Sequence, residues 1–498
     1  MPTARGEFGI AVVSGKIYVI GGIDSDDTPL GTVEEYNPAT NQWITKTSMP
    51  TPRSGFAVAV IDGKIYAIGG TIGNGYLGNN EMYNPVIDRW ETKSSMPTPR
   101  AGLSASTVNG EVYLIGGEKY SNVYPFYAET GINEVYDPVN DTWSTRTSLP
   151  TAVKGYASAV IDNKIYVIGG AKQPSATGND ILVINNQVYD TQTDSWNAST
   201  KLPFGISYGS AAATTGFLAP QRIYFIGGFS AGALNQKTLM FNPTNQSWSD
   251  VTAMPTPREY LQAAVLNDVI YAIGGYDGQE WLNTNEQYKP VGYGTIAPKI
   301  QITSPENKTY TDVPLSFELN RGVEWTGYSI DDTANVTLKN QTITLSNLGQ
   351  GAHKIVLYAN DSSGNMGTSN TVFFSVDTLP PSLAILSPSN QTYGSTDIQL
   401  TFILNEATTA LTYSLDGGDK IDIQGNVTLP ALANGAHHIT VYATDEMGNS
   451  SQETIYFDIE PFPFLVVVAT VLIIIIAAAS GYLFFVRRKT GREKQATS

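Results

Sequence analysis

The chain has 498 residues, enough for several domains that each bury a core of their own, and a formal net charge of −16. It contains no cysteine, which excludes a disulfide framework and thiolate chemistry. The last twelve residues carry Arg487, Arg488, Lys489, Arg492 and Lys494 against Glu493, so everything before them is more acidic still, which argues against nucleic acid as a partner.

In chain order, the first feature is a repeat. Lys-Ile-Tyr-Ala-Ile-Gly-Gly occupies 64–70, and close copies occupy 16–22, 111–117, 164–170, 222–228 and 269–275. Their first glycines fall at 21, 69, 116, 169, 227 and 274, and a period near 50 predicts a propeller or a solenoid. Each copy alternates and is rich in β-branched and aromatic residues, which predicts a strand ended by Gly-Gly. Before it comes a small, apolar run such as 56–61 and a two-residue turn: Ser14-Gly15, Asp62-Gly63, Asn109-Gly110, Asp162-Asn163 and Asn267-Asp268. Such pairs tolerate positive φ and favour a tight hairpin. After it come Tyr-Asn-Pro-like motifs at 34–38, 81–85, 134–138, 187–190, 239–243 and 286–290, five of them followed by Trp43, Trp90, Trp143, Trp196 and Trp248. Four strands per repeat and six repeats predict a six-bladed propeller.

The Gly-Gly doublet, the tyrosine and the tryptophan at near-fixed spacing resemble the kelch repeat over residues 1–295. That resemblance implies a propeller in which Gly-Gly permits close backbone approach while Tyr and Trp fill the space between blades. The family includes binding scaffolds as well as galactose-oxidase-like enzymes. A copper site of the latter kind needs histidines and a cysteine, and residues 1–295 hold neither.

The interval from Gly-Gly to the tyrosine motif is longest in repeats three and four, which places longer loops at 118–133 and 171–186. The first of these holds Tyr120, Tyr124, Phe126 and Tyr127. Up-and-down connectivity puts such loops on the same face as the inter-blade segments, which carry Met-Pro-Thr-Pro-Arg at Arg53, Arg100 and Arg258 and Met-Pro-Thr-Ala-Arg at Arg5; repeats four and five have Val153 and Ile206 instead. These eight residues are the candidate ligand-binding set, since arginines and aromatics favour binding hot spots. The alternative, arginines that tie blades together through backbone carbonyls, stays open. The acidic loop 24–27 reads as a solvated loop, and no cofactor, metal or catalytic residue is assigned.

A Gly/Pro-rich linker at 291–298 leads to a second repeat: 298–310 matches 381–393, and 351–365 matches 435–449. Alternation and turn signals predict two small sandwiches, 296–378 and 379–461, resembling immunoglobulin-like or fibronectin-like modules of prokaryotic surface proteins. His353 and His437 hold equivalent places in them, and with His438 read as strand-face residues rather than metal ligands. Phe464–Val486 is uncharged and long enough to span a bilayer, and the basic tail 487–498 follows it. The positive-inside rule places that tail in the cytoplasm and the rest outside.

The expected molecule is all-β: a six-bladed kelch-type propeller, two β-sandwich domains and one C-terminal transmembrane helix. Its expected role is a cell-surface binding or adhesion protein, anchored in the membrane, with an extracellular glycan or protein as partner. The alternative is a surface carbohydrate-active enzyme, a hydrolase or epimerase that uses carboxylate, arginine and tyrosine side chains at the channel mouth. A further expectation is that an upstream segment carries an export signal and a strand that completes the sixth blade, since Met1 stands mid-repeat, in register with Met49 and Met254.

Overall fold

The computed structural model describes residues 1–498 apart from 74, 123–125, 174–179, 461–463 and 494–498. Two compact units divide the chain, Met1–Ile296 and Ala297–Ser498.

In the first unit the repeated Gly-Gly stretch is the second strand of every sheet. Gly9–Val13 pairs with Lys16–Ile20, which pairs with Val33–Asn37, which pairs with Gln42–Lys46, all antiparallel. Four more sheets repeat this order, with first strands Ala57–Ile61, Ser104–Val108, Ala157–Ile161 and Ser210–Ala213. A sixth sheet has three strands, Gln262–Leu266, Val269–Ile273 and Asn285–Tyr288; among the described residues no fourth strand pairs with it, and 291–294 form a turn. The hairpin turns have the expected left-handed backbone, for example φ 49° at Asp62 and 70° at Gly63.

The first strands are short and small-residued because they converge: each lies beside the first strand of the next sheet, and Gln262–Leu266 lies beside Gly9–Val13. Each second strand buries both faces, as at Ile65, Tyr66, Ala67 and Ile68, and so packs against the sheets on either side. The outer tyrosine and tryptophan form a joint between sheets. Tyr83 stacks on Trp90 at 5.1 Å and donates to Asp88 at 2.5 Å, while Asp88 also accepts the N–H of Thr47 in the preceding repeat at 3.0 Å. The Trp90 Nε1–H donates to the Thr47 carbonyl at 2.9 Å, and Trp143, Trp196 and Trp248 make the same bond to Ser94, Thr147 and Thr200.

The second unit contains two similar sets of strands and a helix. In the first set, Ile300–Ser304, Val313–Leu319 and Thr342–Leu345 form one sheet, and Trp325–Ile330, Gly351–Asn360 and Val372–Val376 belong to another. Leu315 and Phe317 from the first sheet share a core with Ile355, Leu357 and Phe374 from the second. The set from Leu383 to Ile459 repeats this, with Leu400, Ile439, Val441 and Phe457 in its core. Helix Phe464–Glu493 contains Val466–Arg488, which is long and apolar enough by length and composition to cross a membrane; none of its most apolar window is buried against protein.

His353 and His437 hold equivalent sites in this unit. Nδ1 of His353 faces Asp331 at 2.7 Å and Nε2 faces the Gly349 carbonyl at 2.9 Å; His437 faces Asp416 at 2.7 Å and the Ala433 carbonyl at 2.8 Å. Each ring also stacks on a phenylalanine, Phe374 or Phe457. An acceptor on both nitrogens suits the doubly protonated ring, and both imidazoles are raised above their ordinary value of 6.5. Their contribution is therefore fully present below that value and is lost as pH rises through the elevated folded value. Amide exchange in Gly351–Asn360 and Gly435–Thr444 should accelerate as pH rises above 6.5, beyond the intrinsic base-catalysed rate, and His353→Gln should abolish the excess in the first strand only.

Candidate functional site

One residue per repeat, just before each first strand, builds the centre of the first unit: Glu7, Gly55, Gly102, Gly155, Tyr208 and Tyr260. The N–H of Gly55 donates to the Glu7 carbonyl at 2.9 Å, Gly102 to Gly55 at 2.9 Å, Gly155 to Gly102 at 3.0 Å, Tyr208 to Gly155 at 2.7 Å and Tyr260 to Tyr208 at 2.8 Å. Glu7 N–H donates to the Tyr260 carbonyl at 3.2 Å, so the circuit returns to its start. All six residues have φ between 52° and 62°. Glycine adopts this left-handed conformation freely, whereas other residues pay about 1 kcal/mol for it. Three consecutive ring positions, in repeats five, six and one, nonetheless keep the side chains of Tyr208, Tyr260 and Glu7, and such outliers cluster at functional sites.

The six residues line the mouth of a cavity of about 380 Å³ whose walls are the first strands. The residue before each ring position forms a β-bridge with the residue after Gly-Gly: Ser54 with Thr71, Ala101 with Glu118, Lys154 with Ala171 and Glu259 with Tyr276. These bridges bring the loops between second and third strands to the same mouth. Trp281, in the last of those loops, lies over Gly6, where a Cβ would sit 2.1 Å from its ring. Tyr260 stands between Tyr208 at 4.8 Å and Trp281 at 6.0 Å, and Tyr276 lies 5.1 Å from Trp281, making a continuous aromatic wall.

Carboxylates adjoin that wall. Glu7 accepts a hydrogen bond from Ser54 Oγ at 2.9 Å, and burial, reinforced by Glu118 and Asp27, raises its carboxyl above the usual range. Glu259 is pushed up to about 7 by burial and by the Glu7 charge. Lys154 reaches Glu118 at 2.9 Å, Asp180 at 3.5 Å and Glu129 at 4.0 Å. Burial alone would lower its ammonium, but those three charges outweigh it and raise the group. The hydroxyls of Tyr208 and Tyr260 are driven up by burial and by the surrounding acids, so both are neutral donors at ordinary pH.

The structure divides the eight residues expected to form a binding rim. Tyr120 and Phe126 are 64% and 53% exposed, and Tyr127 lies under the Lys154 ammonium, 4.9 Å from its ring centre. The strands Glu118–Tyr120 and Tyr127–Glu129 form a hairpin that carries these aromatics beside the mouth. Tyr124 lies outside the described residues. The four arginines are not part of the rim: Arg5, Arg53, Arg100 and Arg258 are 0% exposed, so the expectation that they bind ligand is corrected. Each is consumed by a glutamate of the third strand and by backbone carbonyls. Arg53 meets Glu81 at 2.6 Å and the carbonyls of Ala67 and Thr51 at 2.8 and 3.0 Å, and the second oxygen of Glu81 accepts from Thr51 Oγ1 at 2.6 Å. Arg5 with Glu34, Arg100 with Glu134 and Arg258 with Glu286 repeat the arrangement. The partners change together: Val153 faces a repeat with Gln187, and Ile206 a repeat with Leu239. A buried ion pair is a fixed unit that can be exchanged for an apolar pair but not halved.

Sequence reasoning missed Glu7, Lys154, Tyr208, Glu259, Tyr260 and Trp281. Their signal was departure from register, since the ring position is glycine in repeats two to four, and Trp281 stands outside the spacing that the other tryptophans of the repeats keep. In the second unit, Asp377, Glu406 and Asp445 place one carboxylate oxygen each within 4.8 Å of one another, close enough to share a metal ion; the first set of strands instead has the Arg321–Asp361 ion pair at 2.8 Å.

Two outcomes are expected. Arg53→Ala should destabilise the first unit by about 3–5 kcal/mol by stranding a buried carboxylate, whereas Arg53→Ile with Glu81→Leu, copying repeat five, should recover most of that loss in thermal or denaturant unfolding. Glu7→Gly should leave the melting temperature unchanged or raise it, because relief of about 1 kcal/mol of left-handed strain offsets the lost hydrogen bond to Ser54.

Comparison with known proteins agrees with the repeat. The family model of the KLHDC2/KLHL20/DRC7 Kelch-repeats domain matches residues 1–170 and 120–275. Similar proteins include Kelch-like protein terF of Aspergillus terreus, 29% identical over 161 residues, 30% of this chain and 33% of that protein. Kelch-like protein 35 of Mus musculus is 28% identical over 144 residues, 29% of this chain and 22% of that one. Beta-scruin of Limulus polyphemus is 30% identical over 140 residues, 27% of this chain and 14% of that one. The aligned part is thus a third or less of each relative's length. Because the matched domain runs through all six Gly-Gly strands and over more than half of the sequence, this chain belongs to the kelch-repeat family.

Proposed function

We propose that this is a membrane-anchored surface protein whose first unit, a closed six-bladed propeller, binds a partner protein at the mouth of its central cavity. The observation that carries this reading is the hydrogen-bonded ring with Glu7, Tyr208 and Tyr260 held in left-handed backbone beside the exposed Tyr120 and Phe126. Kelch repeats generally mediate protein–protein binding, which supports it. In the same reading the second unit is a pair of β-sandwich stalk modules, supported by the shared cores between their sheets, and the helix containing Val466–Arg488 is the anchor, with the basic tail inside. A glycan is the other partner that an aromatic rim could stack against.

A second reading has one observation in its favour. Glu7 and Glu259 are neighbouring carboxyls with raised proton affinity at a cavity mouth, as a general acid and its partner would be in glycoside hydrolysis.

Protease added to intact cells should remove both units and leave a short membrane-protected fragment; protection of the first unit would overturn the orientation. The detergent-solubilised full chain, applied to peptide and glycan arrays, should retain peptides, and Tyr120→Ala should weaken that retention. Retention of glycans alone, with release of reducing sugar that Glu259→Gln abolishes, would establish the enzyme instead.

A further inference from the structure

We infer that the cavity mouth recognises a basic side chain, a lysine or arginine of the bound peptide, seated where the aromatic wall and the acidic cluster meet. This rests on the protein-binding reading above and specifies the chemistry of its partner.

Four observations carry it. The first is charge. Glu7, Glu118, Glu129, Asp180 and Glu259 gather around the mouth, while Lys154 is the one cation lining the cavity among the described residues and is already shared among three of those acids. Lys119 and Lys172, on the flanking hairpins, reduce the excess of negative charge without removing it. The arginines that the sequence puts nearby do not compensate either, because each is buried and neutralised by its own glutamate.

Second, the negative charge is incompletely satisfied. Oε1 of Glu129 is buried without a hydrogen-bond partner among the described residues, and the Lys154 ammonium is 4.0 Å away. A buried carboxylate oxygen in that state favours an added donor.

Third, the wall that these acids adjoin is aromatic. Tyr208, Tyr260 and Trp281 present π-faces in sequence, and an ammonium or guanidinium gains from such faces as well as from carboxylates. That combination fits an organic cation better than a metal ion. Among the described residues, the one carboxylate group with metal-ligand spacing is in the second unit, not here.

Fourth, space is left on the other half of the ring. A methyl group placed on Gly55 or Gly102 would meet no atom nearer than 3.5 Å, so backbone rather than bulk lines that side of the entrance. A long aliphatic stem can pass there while its charged head reaches the acids.

The test uses the detergent-solubilised full chain and two fluorescein-labelled probes, a trilysine peptide and the same peptide with every Nε acetylated, followed by anisotropy. The charged probe should bind at least about tenfold more tightly, the scale of one charge-assisted hydrogen bond. Glu7→Gly and, separately, Glu259→Gln should each cut that preference by about tenfold, whereas Glu91→Gln, an exposed acid on an outer strand, should leave it intact and so exclude general attraction to an acidic protein. Equal binding of the two probes, no binding of either, or a preference that survives both mouth variants would overturn the inference. The protein-binding reading fails separately: array peptides retained without lysine or arginine would leave it standing while the basic-side-chain inference falls, and retention of no peptide of any composition would defeat both.

Discussion

The organising constraint of the first unit is the circuit of six backbone hydrogen bonds through Glu7, Gly55, Gly102, Gly155, Tyr208 and Tyr260. These bonds hold the innermost segments of consecutive repeats within hydrogen-bonding distance of one another. The left-handed backbone at each ring position turns the N–H toward one neighbour and the carbonyl toward the other. Other features follow from that convergence. First strands are rich in small residues because they lie beside one another, and the side chains of Glu7, Tyr208 and Tyr260 on the ring line the cavity.

The arginine pairs serve the same convergence from the next layer out. In repeats one, two, three and six a guanidinium satisfies carbonyls of its own segment or at the second strand, such as Thr51 and Ala67, and holds the third-strand glutamate in place. Polar backbone enclosed between packed sheets needs a donor, and arginine supplies several in one rigid plane. Repeats four and five achieve their packing differently. Gln187 bonds the backbone of Thr151 through both ends of its amide, and Leu239 stands where repeat five has dispensed with charge. That partners change together is the mark of a buried pair selected as a unit.

At the outer edge the tyrosine, aspartate and tryptophan do a complementary task. The N–H groups of Trp90, Trp143, Trp196 and Trp248, with Asp88, Asp141 and Asp194 as acceptors, engage the segment leaving the preceding sheet, so those sheets are joined at their outer edges as well as at the ring. The charged and aromatic residues left over from these structural duties collect at one mouth. Function in a fold of this kind is carried by the departures from the repeat, since the repeat itself is committed to packing.

The repeat, its strand order, its hairpin turns and the apolar terminal helix were readable from residue order, because each depends on local spacing: alternation, glycine at left-handed positions and hydropathy over a helix length. The equivalence of His353 and His437 was readable for the same reason. The site was not. An arginine in Met-Pro-Thr-Pro-Arg looks identical in sequence whether it reaches solvent or a buried glutamate nearly thirty residues away, and only tertiary packing buries Arg53 against Glu81. Glu7, Lys154, Tyr260 and Trp281 lie far apart in the chain, and no local pattern joins them. Bringing the first repeat beside the sixth sets Glu7 against Glu259 and Trp281 over Gly6, and the proton affinity of Glu259 then depends on burial and on a charge some 250 residues distant in sequence.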